Sequence, residues 1–379
     1  MSNLLGQIES LLGYGASSSQ AVVVRIDGML ITGWEEIEVR CGVELMPWAA
    51  ELALTSYQPA AGQSITINPG DVAEIYIGTD LLMTGYVLSV VESEGPQNHE
   101  LRVQITAKSI DLLECSAEFS TYQMNSTNAL AIAAKVSSFA GISVKSINGA
   151  GNVDVQQFSA ILTETAYEII ERVCRLACVL FYDQPDGSIA LSGVGADRMS
   201  SGFTVGDNVE AWTRVRSNAG RFSTVTAILA STAMLFSEPT EENYVTEMQA
   251  ISSGAQASDP EIERARPLLV PVEIGDQDLV VAKQRVQWEV NRRYGRANTV
   301  SLTCDSWRDK KGNLFRPNKI ASFTDNKGVS ADYLIGEIVY RQSPAGTRAD
   351  VMLAPAAAYQ PEPILNPLLN NEAIVASNS

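Results

Sequence analysis

At 379 residues the chain is longer than one ordinary core encloses, so two to four domains are expected. A composition of 45% hydrophobic and 19% charged residues excludes a disordered chain, and no run approaches the roughly 18 apolar residues that a transmembrane helix needs. The net charge of −17 excludes a simple nucleic-acid binder, which would cluster Lys and Arg against phosphate.

The first fifteen residues, MSNLLGQIESLLGYG, lack the basic start of a signal peptide, and Glu9 breaks their apolar stretch. From 21 to 115 the pattern is β. AVVVRID reads as a buried strand, and in EEIEVRC the residues Ile37, Val39 and Cys41 alternate with Glu36, Glu38 and Arg40. VAEIYIG and LLMTGYVLSVV flank the turn residues Gly78, Thr79 and Asp80 as a hairpin, and LRVQITAK alternates again. From about 117 the pattern becomes α+β. Thr127 is the expected cap of a helix ended by Gly141, with Ile132, Val136, Phe139 and Ala140 on one face. TETAYEIIERVCRLACVLFY carries a capping box, Thr165 with Glu168, and an apolar stripe of Ala166, Ile169, Ile170, Val173, Leu176, Ala177 and Leu180.

Strands return at WTRVRS and FSTVTAILA. The stretch ENYVTEMQAISSGAQASDPEIERARP reads as an irregular polar loop, and a third helix is predicted near 278–294, capped by Asp278 and ended by Gly295. Residues 299–354 are β again, and the Pro- and Asn-rich last 25 residues read as an extended arm or a disordered tail.

The segment from Pro69 (PGDVAEIYIGTDLLMTGYVLSVVESEGPQNHELRVQI) matches the one from Pro317 (PNKIASFTDNKGVSADYLIGEIVYRQSPAGTRADVML) in its order of parts. Each opens a strand after proline, turns, places an apolar pair before a glycine (Gly85, Gly336), and ends in a second hairpin. The predicted fold class is therefore α+β, mainly β, with two similar antiparallel β-barrel modules per chain flanking α+β insertions. The predicted organisation is a segment 1–20, a first tube-like barrel 21–116, an α+β domain 117–204, a discontinuous second barrel 205–235 and 299–354, an insertion 236–298 and an arm 355–379.

Residues that carry chemistry are sparse. The single histidine, His99, lies in the turn GPQNHE with no second His four residues on, so no zincin motif or triad forms around it. Cys174 and Cys178 share a helix face without a further Cys pair or His, which reads as buried small residues rather than a metal site. Gly13-x-Gly15 and Gly149-x-Gly151 lack the lysine of a phosphate loop, and the acidic pairs Glu35-Glu36 and Glu241-Glu242 are ordinary in so acidic a chain. No catalytic, cofactor or metal site is assigned. Five scattered cysteines suit reduced thiols.

Four stretches, in order, resemble the phage late-control D family, which includes contractile-tail hub proteins and is related to the N-terminal part of type VI secretion spike proteins. They are PGDVAEIYIGTDLLMTGYV (69–87), ITAKSIDLLEC (105–115), TAYEIIERVCRLACVLFYDQPDGSIALSG (165–193) and YLIGEIVYRQSPAGTRADVMLAP (333–355). The resemblance implies a non-enzymatic baseplate hub of a contractile tail. It would be a homotrimeric ring whose two modules per subunit match a six-fold tail tube to a three-fold central spike, with DNA passing through unbound. It further implies a place in the virion baseplate after assembly in the host cytoplasm. The rival classes are a tail-tip cell-wall-degrading enzyme and a receptor-binding tail module.

Charge is unevenly spread. Residues 1–120 carry 4 bases and 16 acids, whereas residues 281–350 carry 13 bases and 7 acids. Copies could therefore mate acidic part to basic part, with Glu35, Glu36 and Glu38 facing Arg292, Arg293 and Arg296 across the subunit interface.

Overall fold

Alternation builds the first unit. The computed structural model describes residues 21–31, 34–54, 67–95, 98–118, 121–195, 197–229, 255–272 and 279–363. Gly13, Gly15, Glu241, Glu242, Asp278 and the end of the C-terminal arm lie outside them. Among the described residues seven strands come first: β1 (Val22–Ile26), β2 (Met29–Ile31), β3 (Glu36–Gly42), β4 (Ala49–Leu54), β5 (Val72–Ile77), β6 (Asp80–Gly95) and β7 (Asn98–Ala107). In β3 the predicted alternation holds: Ile37, Val39 and Cys41 are buried, while Glu36 and Arg40 are exposed.

The second unit holds α1 (Ile110–Glu114), β8 (Gln123–Asn128), α2 (Ala129–Ser137), β9 (Val144–Ser146), β10 (Asp154–Ser159), α3 (Ala166–Leu176), β11 (Leu180–Asp183) and β12 (Ile189–Ser192). Helices α2 and α3 pack through a common core that includes Ile132, Ala133, Val136, Ile169, Ile170 and Val173. The Thr165–Glu168 capping box is present in both directions. The cap of α2 is Asn128, not Thr127: Asn128 Oδ1 accepts from Ala131 N at 2.8 Å, while Thr127 pairs with Val155 inside β8. The short α1 is an addition to the predicted helices.

Next come β13 (Asp197–Arg198), β14 (Phe203–Thr204) and β15 (Val209–Arg216), then β16 (Thr224–Leu229), β17 (Gln256–Ser258), β18 (Pro267–Val272) and α4 (Leu279–Ala297). The described residues continue with β19 (Asn298–Cys304), β20 (Lys319–Thr324), β21 (Ser330–Ser343), β22 (Gly346–Ala354) and a 3₁₀ turn at Ala356–Tyr359. Two corrections follow. The residues expected to be an irregular loop contribute β17, and β18 begins at the last of them, Pro267; the two strands flank β16 in a separate three-stranded sheet beneath α4, so Thr224–Leu229 leave the second module. The prolines in PLLVPV hid β18; they are tolerated because it is an edge strand. Gly295 does not end α4, which runs to Ala297. A Cβ on Gly295 would lie 2.6 Å from Ala358 N, so glycine here admits the C-terminal segment against the helix.

The remaining strands form one sheet of fourteen, ordered β15-β19-β22-β21-β3-β4-β7-β6-β5-β1-β2, with β20 beside β21 and holding β13 and β14. Instead of two separate barrels, the hydrogen bonding shows two modules joined edge to edge through β21 and β3, over a shared core that contains Trp48, Trp307 and Tyr340. The strand order β3-β4-β7-β6-β5 in the first module repeats as β15-β19-β22-β21-β20 in the second. At a shift of 248 the hairpin β6–β7 matches β21–β22 residue for residue, Gly95 with Ser343 and Asn98 with Gly346, and Val72–Ile75 of β5 match Ile320–Phe323 of β20, beyond which a register shift after Ile75 has no counterpart. At that shift both bulges coincide, since Leu88 interrupts the first hairpin where Gly336 interrupts the second. The glycines Gly85 and Gly336, aligned in the sequence, are therefore not equivalent.

Candidate assembly interface

The features that bear on assembly are the face and the edges of this sheet. Cross-strand charge pairs run over its solvent face: Arg102–Glu51 at 3.2 Å, Arg341–Glu38 at 2.7 Å, Arg341–Asp350 at 2.8 Å and Arg348–Glu210 at 3.0 Å. Each exposed pair contributes about 0–1 kcal/mol, but together they leave the arginines of this face engaged. At the β21–β3 junction, Tyr340 lies opposite Val39 on the core side, with Val339 opposite Arg40 on the solvent side.

Two edges differ from this junction. Beyond Tyr86, β6 leaves β5; Val87 still bonds to Asp71 and Gly70, and among the described residues Leu88–Gly95 pair with β7 alone. Strand β15 is paired to β19 alone among the named strands. Large apolar side chains sit on both: Leu88 is 51% exposed, Val91 55% and Val215 47%. Arg214, on β15, stacks its guanidinium over Trp212 and Phe323 at 5.3 and 5.6 Å. It reaches Asp325 at 3.4 Å, and its buried Nε has no acceptor.

The charged residues singled out by sequence occupy other places. Arg292 and Arg296 meet Glu44 of the same chain, Arg296 at 2.6 Å to Oε2, and they donate to Gln360 O and Ala358 O. Arg293 pairs with Glu289 and donates to Gly220 O. These arginines bind α4 to the first module and to residues 358–360. Glu38 pairs with Arg40 and Arg341, Glu36 is exposed opposite Ala53, and Glu35 donates its N–H to Ala53 O. The six residues thus fall into two groups within one chain. Sequence reasoning missed the edges, because an unpaired edge is a property of strand order.

Among the described residues no cluster of three metal-capable side chains occurs. Cys174 is buried in the core of the second unit, and burial pushes its thiol well up. One buried carboxyl stands at the joint between the first two units. Asp183 Oδ2 accepts from Trp48 N at 2.8 Å and Ser109 Oγ at 2.9 Å, yet burial outweighs these bonds and pushes its pKa up to about 6. The folded state then holds a proton more tightly than the unfolded chain, so stability falls as pH rises from about 4 to about 6 and is level above. Asp183→Asn stays neutral and keeps an oxygen for both donors. It is expected to raise stability at pH 7 by about 1–3 kcal/mol and flatten that slope. A lower melting temperature at pH 7 would contradict this account.

Three protein families match the chain in order. Residues 21–105 match the Mu phage baseplate assembly protein GpP-like N-terminal domain, 109–193 the baseplate hub protein gp44-like second domain, and 279–362 the fourth domain of Mu phage baseplate assembly protein GpP. Baseplate hub protein gp44 of Escherichia phage Mu is 24% identical over 348 residues, covering 90% of this chain and 89% of that protein. The fold resembles the 43 kDa tail protein of prophage MuSo2 from Shewanella oneidensis (TM-score 0.74, 24% identity, 92% of this chain and 100% of that one). It also resembles an E. coli type VI secretion component described as similar to the T4 tail proteins gp27 and gp5 (TM-score 0.51, 10% identity, 91% of this chain and 80% of that one). In three successive stretches the chain thus matches domain families of the Mu GpP and gp44 baseplate proteins.

Proposed function

We propose that the protein is a structural subunit of a contractile-tail baseplate hub, a homotrimeric ring that adapts a six-fold tail tube to a three-fold central spike. The observation that carries this reading is the repeated strand order within one sheet. Three copies of a chain with two like modules, each already joined edge to edge, present six like surfaces on one side. The second unit and the sheet under α4 occur once per chain, and supply three-fold features. The domain families support the baseplate assignment, and the virion tail is the corresponding location.

DNA would pass along the solvent face of the sheet. Arg102, Arg341 and Arg348 on this face are held by Glu51, Glu38, Asp350 and Glu210, so they are not free to replace the counterions of phosphate. The ring needs no catalysis. Static light scattering of the purified chain over a range of concentrations tests the reading: a plateau at three times 40.8 kDa is expected, and a single-chain mass at every concentration would refute it.

A further inference from the structure

We infer that the free half of β6, Leu88–Gly95, and the free edge of β15 join in one antiparallel ladder between two copies of the chain, with Glu92 of one copy opposite Arg214 of the next. This rests on the ring reading and assigns its contact.

The chain contains its own template. Strand β21 leaves β20 after Leu334 and pairs through Glu337–Gln342 with β3. Strand β6 leaves β5 after Tyr86, the residue that matches Leu334 at the shift of 248. Val87 still bonds to Asp71 and Gly70, and from Leu88 the strand runs on with one side unpaired among the described residues. What β21 receives on that side is the first strand of the other module; for β6 the corresponding strand is β15. Matching the ladders β3–β4–β7 and β15–β19–β22 places β15 at a shift of 175 from β3, so that Glu36 corresponds to Ala211 and Val39 to Arg214. The pair Val339–Arg40 then becomes Val91–Val215, and Tyr340–Val39 becomes Glu92–Arg214.

The register follows from backbone pairing alone, and the side chains at these positions agree with it. The most exposed valines of the two free edges, Val91 and Val215, come face to face, as cross-strand pairs on one face do. The orphaned Nε of Arg214 gains a carboxylate on the core side of the sheet. A free stretch of eight residues without Lys or Pro inside it is also what monomers avoid at a sheet edge. Where the internal junction buries Tyr340 against Val39, this one would bury an ion pair, so β15 of a neighbour is matched to β6 and not to β21.

The test uses the full chain with Cys115, the exposed native thiol, replaced by Ser. Val91→Cys with Val215→Cys is expected to give disulfide-linked dimers and trimers on mild oxidation, and neither single cysteine should. Glu92→Arg is expected to weaken trimer association at least tenfold, with recovery when Arg214→Glu is added. A three-copy mass with no cross-link and unchanged association in Glu92→Arg would overturn the edge assignment and leave the ring standing. A single-copy mass at every concentration would overturn both.

Discussion

Replacing Gly85 by alanine is expected to destabilise the first module by about 3 kcal/mol or more, and valine is expected to prevent its folding. Gly85 lies in the middle of a ladder, opposite Ala73 on β5 and Ala107 on β7. A Cβ there would sit 1.8 Å from the carbonyl oxygen of Thr106 and 2.7 Å from its carbon. Both are backbone atoms of a strand held on its other side by β4, so no side-chain rotation relieves the clash. The ladder must open, and the β6–β7 pairing that opens is also the support of the proposed subunit contact. Thermal unfolding of Gly85→Ala beside the parent chain measures the effect; equal melting temperatures would show that the strands can separate at little cost.

The second large effect belongs to Arg221. Its Nε and Nη2 donate to both oxygens of Asp259 at 2.8 and 2.9 Å, and both side chains are buried, at 3% and 5% exposure. The pair sits beside the small sheet under α4, with the guanidinium 5.0 Å from the ring of Tyr294. Arg221→Met leaves Asp259 as an uncompensated buried carboxylate and is expected to cost about 3–5 kcal/mol. Adding Asp259→Leu should return most of that loss, because an apolar pair of similar volume needs no partner. Denaturant unfolding of both variants checks this; a double variant no more stable than the single would mean that the pair contributes net attraction rather than merely mutual compensation.

Much of this fold is legible in the sequence because local periodicity carries it. The alternation in β3 and the capping box of α3 depend on neighbours within a few residues, and both appear where the residues place them. The duplication is legible too, but its register is not. Gly85 and Gly336 look equivalent because glycine is conspicuous, yet each is there for a different reason. Gly85 makes room for the Thr106 carbonyl, and Gly336 makes room for Tyr359, whose hydroxyl would lie 1.7 Å from an added Cβ. The true counterpart of Gly336 is Leu88, 51% exposed, at a bulge that no local signal marks. Long-range pairings are lost for the same reason. Arg292 and Arg296 stand 248 and 252 residues from Glu44, and only the packing of α4 on the first module brings them together. Counting charge by segment located an acidic part and a basic part, and the fold brings members of both together inside one chain.

The most direct measurement for the central claim is electron microscopy of the assembled ring, viewed end-on and averaged without imposed symmetry. The duplicated strand order predicts six nearly equal densities at the radius of the sheet, reduced to three where the second unit and the α4 sheet project. An average with three unlike pairs at the sheet radius, or with two-fold symmetry, would contradict it.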